Sequence, residues 1–375
     1  MEERTIKEST TYFEGWEITK KLGSGSYGRV YEIERKELGR VYTGALKVIS
    51  IPRSEEEYSD TVHEFGEEGA QKYYLNIIRI VSEEIAIMAR LSGHTNIVNY
   101  FDHKVLEHEN KRGWDIMIRM ELLTPLRNYI NQEKHISRRQ VIQLGIDICA
   151  ALEECRKHSI VHRDIKPDNI MISESGHFKL GDFGVSRVLE NGRTIDMTRT
   201  GTEEYMAPEL YLMQNNCDSR VDIYSLGIVL YQLLNANRMP FCSSYPNCYT
   251  QIERENALKM RMSGKYPLVN PLNTSNDILG EIVLKACAYD KDKRFSTPTE
   301  MRKDLESINL SDEDMKILRE EEKWYELTLD EKHAQTTTIS PLPKKNHKLV
   351  FIIAACILIA VLAVINTKIF PLANG

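Results

Sequence analysis

The 375-residue sequence has no CxxC pair, and its seven cysteines lack companion histidines at zinc spacing. The scattered, odd set (Cys149, Cys155, Cys217, Cys242, Cys248, Cys287, Cys356) therefore offers neither a disulfide framework nor a zinc finger. Cys242 and Cys248 are close enough for a local disulfide or a weak metal site, but free thiols in a reducing compartment are the better reading. An excess of positive charge is also missing. Lys and Arg total 49 against 55 Asp and Glu, a net charge of −6. That excludes wholesale nucleic-acid binding, which needs a concentrated positive surface. The first twenty residues have mixed charge and no apolar core, so no cleaved signal peptide is expected. No internal repeat is present. With 42% hydrophobic and 28% charged residues, the chain can bury a sizeable core as one large domain or two lobes.

One long apolar run exists. Leu349 to Ile365 (LVFIIAACILIAVLAVI) contains seventeen residues without a charge or a helix breaker, the short limit for crossing a bilayer. Lys344, Lys345 and Lys348 precede it and only Lys368 follows. The positive-inside bias then keeps residues 1–348 in the cytoplasm and sends 366–375 across. The expectation is a single-pass membrane protein, in the plasma membrane if bacterial, with the bilayer contacted through 349–365.

From Trp16 to Val48, apolar and polar residues alternate around glycine-bearing turns, which predicts three antiparallel strands. Residues 50–75 are rich in Glu, Ser and Tyr without firm periodicity, and read as a long loop or partly helical insertion. A helix is expected over Ile77–Leu91, then strands near Ile97–Phe101 and Trp114–Glu121. Beyond Thr124 the pattern is mainly helical, notably at 137–157 and 218–235. Ser311 opens a capped helical stretch, and 331–347 is a polar linker with two prolines.

Gly23-Ser24-Gly25-Ser26-Tyr27-Gly28-Arg29-Val30 is a GxGxxGxV run between two predicted strands. Dinucleotide folds share this glycine spacing, but a helix follows their glycines, whereas a strand follows here. A glycine hairpin tip can close over a triphosphate without Cβ obstruction. Lys47 sits in the apolar strand Ala45-Leu46-Lys47-Val48 and needs either solvent or an anion. Glu84 or Glu83 can supply the anion; Glu84 is favoured because Ile85, Met88 and Leu91 flank it on an apolar stripe.

The densest cluster is Val161-His162-Arg163-Asp164-Ile165-Lys166-Pro167-Asp168-Asn169-Ile170, followed by Lys179-Leu180-Gly181-Asp182-Phe183-Gly184. Mixed charges between apolar segments make a poor strand and a poor helix, and a catalytic loop explains them. Here the sequence resembles the eukaryotic-type (Hanks-type) serine/threonine protein kinases, including bacterial membrane-anchored members: HRDxKxxN and DFG match without departure. Gly201 to Glu209 (GTEEYMAPE) resembles the end of an activation segment, Asp222 to Gly227 the start of the family's αF helix, and Arg294 the partner of Glu209.

The resemblance implies an α+β, bilobal fold, with a small β-rich N-lobe carrying the αC helix and a larger α-helical C-lobe; the apolar run adds one C-terminal transmembrane helix. The resemblance covers the kinase domain at 12–305 (N-lobe 12–121, C-lobe 124–305); beyond it, the residue pattern alone gives a cytoplasmic helix and juxtamembrane linker at 306–347 and the membrane helix at 349–365. The implied ligands are ATP and Mg²⁺, and the implied partners are protein Ser/Thr acceptors and a second copy of the kinase domain. Asp164 would take or orient the acceptor proton and Lys166 would face the γ-phosphoryl group. Lys47, held by Glu84, would meet the α- and β-phosphates, and Asn169 and Asp182 would ligate Mg²⁺. Leu22, Gly23, Ser24, Gly25, Ser26, Tyr27, Gly28, Val30, Ala45, Met120, Glu121 and Leu123 would form the nucleotide pocket. Within it Met120 is the gatekeeper, and the Glu121 and Leu123 backbone meets adenine. Arg163 is expected as a buried cation that pairs with an activation-loop phosphate at Thr198 or Thr200; Thr194 is a weaker acceptor, and Thr202 belongs to the serine/threonine signature. The stretch of some thirty-six residues between Lys47 and Glu84 is longer than the family usually has.

Overall fold

A computed structural model describes residues 13–25, 28–108, 112–131, 136–183, 203–212, 218–243, 250–265, 268 and 277–308. All of them belong to a unit spanning 1–314. The expected membrane helix, the helix after Ser311, the linker, and Cys217, Cys248 and Cys356 lie outside the described residues. Among those described, no helix is long and apolar enough to cross a membrane. Cys149, Cys155, Cys242 and Cys287 are free thiols.

The alternating stretch forms strands β1 (Trp16–Gly25), β2 (Gly28–Glu37) and β3 (Arg40–Ile51), an antiparallel meander. With β4 (Tyr100–Glu107) and β5 (Trp114–Met120) they make a five-stranded sheet in the order β1-β2-β3-β5-β4. The expected strand near Ile97 is displaced: Ile97 bridges to Leu180 of the other lobe, because the Val98 N–H donates to the Leu180 carbonyl (2.9 Å) and the Leu180 N–H to that of Asn96 (2.8 Å).

Of the two readings of the insertion, loop or partly helical, the helical one holds, and the helix covers nearly all of it. Helix α1 runs Glu55–Leu91, starting at Glu55 rather than Ile77. Ser54 caps it by accepting the Glu57 N–H, and three glutamates in the first turn suit the helix dipole. Gly66 breaks it at φ 72°, ψ 167°, a conformation essentially reserved for glycine. The two arms are tied across this kink: Thr61 Oγ1 and Tyr74 Oη share a hydrogen bond (2.8 Å), and the Tyr58 and Tyr74 rings stack at 6.1 Å. The long arm packs Ala70, Tyr74, Ile77, Val81 and Ile85 on Ile49, Ile51, Trp114, Ile116 and Ile118 of the sheet. Each large side chain buried this way contributes roughly 1.5–3 kcal/mol. That seam decides where Glu84 sits.

The second lobe begins with β6 (Thr124–Pro125) and the short α2 (Leu126–Asn131). Helix α3 (Arg138–Lys157) opens with a Ser137/Gln140 capping box. Strands β7 (Ile170–Ile172) and β8 (Phe178–Leu180) pair with β6 in the order β6-β7-β8. After a 3₁₀ turn at Glu203–Tyr205 come α4 (Pro208–Tyr211), α5 (Arg220–Leu234), α6 (Gln251–Ser263), α7 (Ile278–Ala286) and α8 (Pro298–Glu306). Helix α5 is buried over most of its length, including Ile223, Leu226, Val229 and Leu230 and the polar Asp222, Ser225 and Gln232, and forms the axis of the core. The helices expected at 137–157 and 218–235 are α3 and α5. The architecture is the bilobal kinase fold.

Candidate active site

The glycine run lies on the β1–β2 hairpin, with Gly25 opposite Gly28 and Gly23 opposite Val30; Ser26 and Tyr27 lie outside the described residues. Gly28 has φ 139°, and a Cβ there would come within 2.3 Å of the Val48 carbonyl oxygen. No other residue fits that approach. Leu22 is 39% exposed at the end of the hairpin, and buried Ala45 faces Met120 across β3 and β5.

Lys47 and Asp182 form the central ion pair, Nζ to Oδ1 at 2.7 Å, with both side chains largely sheltered. Burial works to raise the Asp182 carboxyl, but Lys47, aided by His162 and Lys166, holds it below the usual carboxylate range. Asp182 itself adopts φ 56°, a strained left-handed conformation. Glu84 is buried, while Glu83 is exposed, as the apolar stripe required. The expected Lys47–Glu84 bond is not made. Lys47 is engaged by Asp182, and Glu84 Oε2 has no hydrogen-bond partner. Burial first, then the like charge of Asp182, pushes Glu84 up to about 8; Lys47 offsets this in part. Glu84 is therefore a mostly protonated acid at neutral pH.

In the catalytic loop, Asp164 Oδ2 receives Lys166 Nζ at 2.9 Å and Asn169 Nδ2 at 2.9 Å. Asn169 also donates to the Asp164 carbonyl (2.8 Å), which leaves its own amide oxygen as the hard donor available to a cation. An amide oxygen and the Asp182 carboxylate suit Mg²⁺, which takes one or two protein oxygens alongside phosphate and water. Among the described residues no cluster of three or more His, Cys, Asp or Glu ligands is present. His162 braces the site: its Nε2 meets the Gly181 carbonyl at 3.1 Å, and its ring packs edge-on against Phe183 at 5.0 Å.

Three features escaped the sequence reading. Buried Asp222, at the start of α5, accepts the backbone N–H groups of His162 (2.8 Å) and Arg163 (2.7 Å), so it anchors the loop from below. Lys179 holds the Glu121 carboxylate at 2.8 and 2.9 Å. The Glu121 N–H donates to the Asn99 carbonyl (3.0 Å), so of the expected adenine contacts its carbonyl remains, with Leu123 beyond it. Arg163 corrects an expectation: it is exposed, not buried, with φ 64° imposed by a backbone bound to Asp222. Thr194, Thr198, Thr200 and Thr202 lie outside the described residues. The Arg294–Glu209 pairing is present and bidentate (2.7 and 2.8 Å), wholly buried, and braces α4 against the end of α7.

The cleft thus sets the Lys47–Asp182 ion pair beside a loop carboxylate held by a lysine and an amide. Sequence comparison assigns the family: residues 16–305 match the protein kinase domain family, and the chain belongs to it. Serine/threonine-protein kinase PknB of Mycolicibacterium smegmatis is 34% identical over 239 residues, 62% of this chain and 36% of that protein. Probable serine/threonine-protein kinase PknB of Lactococcus lactis is 30% identical over 301 residues, 80% of this chain and 43% of its own length. Human serine/threonine-protein kinase Nek2 is 27% identical over 280 residues, 72% of this chain and 55% of that one. The chain spans less than half the length of the two bacterial relatives.

Proposed function

We propose that the chain is a serine/threonine protein kinase that transfers the γ-phosphate of ATP to protein hydroxyls. The observation that supports this most strongly is the convergence of Asp164, Lys166 and Asn169 beside the Lys47–Asp182 pair. Both donors to Asp164 land on Oδ2, so its other oxygen is the one that meets the acceptor hydroxyl and takes or orients its proton. Lys166 stands next to it as the cation for the transferred phosphoryl group. Lys47 carries the α- and β-phosphates, and for that it exchanges Asp182 for Glu84, which then ionises beside it. Asp182 and Asn169 hold Mg²⁺, which when bound neutralises charge spreading over the phosphate oxygens. The backbone of Glu121 and Leu123 borders adenine, under the Leu22–Val30 hairpin and beside Ala45 and Met120.

The kinase domain at 12–305 is read as cytoplasmic and tethered through 349–365, on the apolar run and its lysine flank. Autophosphorylation at Thr198 or Thr200 between two copies, read by exposed Arg163, belongs to the same proposal. The test incubates the full chain in detergent with labelled ATP, with and without Mg²⁺, and hydrolyses the products for phosphoamino-acid analysis. Magnesium-dependent label on phosphoserine or phosphothreonine is expected; label on tyrosine alone, or none, contradicts the reading. Membrane pellets that release the chain with detergent but not with high salt support the tether, and release by salt rejects it.

A further inference from the structure

Lys179 lies on β8, three positions before Asp182, and donates to both oxygens of the Glu121 carboxylate. The pair is sheltered, with side chains 12% and 19% exposed. Glu121 Oε1 also accepts the Asn99 N–H at 2.6 Å, while the Glu121 N–H returns a bond to the Asn99 carbonyl at 3.0 Å. Asn99 follows α1, and its Oδ1 accepts the Gly93 N–H at 2.9 Å. One carboxylate thus joins the loop after the Glu84 helix, the connection between the lobes, and the strand leading to Asp182.

Residues 121–123 belong to no helix or strand, and beyond the Glu121 N–H, which bonds the Asn99 carbonyl, no backbone ladder fixes the directions of their carbonyl and N–H groups. A purine edge is read by a few such groups, and hydrogen bonds weaken steeply when misaligned. Something else has to orient them. Charge-assisted bonds to a sheltered carboxylate are about twice as strong as neutral ones, and this carboxylate receives three.

We propose that Lys179 is a positioning residue for nucleotide: through Glu121 it sets the adenine-facing backbone of 121–123 in fixed register with Asp182. This rests on the kinase reading above, in which that backbone borders adenine. Removing the ammonium leaves Glu121 sheltered with its charge uncompensated, and the carboxylate turns toward water, taking the backbone of 121–123 with it. Nucleotide affinity falls, while the chemistry at Asp164 is untouched.

The test uses the full chain and compares Lys179→Met with Lys179→Arg, which restores the cation. Steady-state transfer gives KM for ATP and kcat, and calorimetric titration with ADP gives affinity without turnover. Lys179→Met is expected to raise KM and weaken ADP about tenfold, or about 1.4 kcal/mol, with kcat within about twofold, and Lys179→Arg to recover most of the loss. A purely structural role lowers the active fraction, and so kcat, without moving KM. Unchanged KM and ADP affinity overturn the proposal, as does a rise in kcat at constant KM, which makes the latch a restraint on turnover. If Lys179→Met does not fold, Lys179→Gln against Lys179→Arg carries the comparison, and equal ADP affinities overturn it. Absence of transfer by the unmodified chain rejects the kinase reading, whereas ADP affinity judges the latch by itself.

Discussion

Replacing Glu84 by Gln tests the electrostatics of the cleft directly, because glutamine keeps the shape and cannot ionise. In the folded chain Glu84 is pushed up to about 8 from 4.5, so the folded state binds a proton that the unfolded state has released between those values. A raised carboxyl contributes stability that is fully present below pH 4.5 and is lost as pH rises through 8. At about 1.4 kcal/mol per tenfold change in proton activity, the interval corresponds to roughly 5 kcal/mol at most. Relaxation and water entry reduce that, and about 2 kcal/mol is the expected loss. The assay is urea unfolding of both proteins, free of nucleotide, at about pH 5, 6, 7 and 8. Unmodified protein should lose stability relative to Glu84→Gln across this range, with the difference steepest between about pH 5 and 7.5. Parallel curves would refute the reasoning, since Glu84 would then be ionised and paired in the resting protein. Transfer should run the other way: Glu84→Gln deprives Lys47 of its charged partner, and kcat/KM should drop about tenfold or more.

The remaining predictions concern the scaffold. Gly28→Ala forces a Cβ to 2.3 Å from a backbone oxygen and should both destabilise the first lobe and raise KM for ATP, read by thermal melting and initial rates. Arg294→Met strands the buried Glu209 carboxylate and should cost about 3–5 kcal/mol in urea unfolding. Gly66→Ala strains the α1 kink and should cost about 1–3 kcal/mol with KM for ATP unchanged, because the residue is remote from the cleft contacts.

Much of the site was legible because its residues are contiguous. His162 to Asn169 and Lys179 to Gly184 carry their chemistry in short strings, and the helical period of α3 is undisturbed. The first arm of α1 was not legible: its apolar contacts are rings stacked across a glycine break, which no single period describes. Nor could spacing show that Lys47 pairs with Asp182, 135 residues away, in preference to Glu84. That choice depends on how dry the Glu84 pocket is, a property of the packed lobe. The Glu121–Lys179 contact spans 58 residues, and a pairing between two separate segments leaves no local signal in either. Arg163 was expected inside on the family resemblance, yet the Asp222 anchor takes its backbone and leaves its side chain outside.

The central claim is that Asp164 handles the acceptor proton while the cleft around it binds nucleotide, and Asp164→Asn in the full chain isolates that step. Nucleotide affinity and single-turnover transfer would be measured side by side with the unmodified protein. The account predicts ADP affinity within about twofold and transfer slower by about 10²–10⁴-fold. Transfer at the unmodified rate with ADP still bound would contradict it and move the proton-handling role to another group.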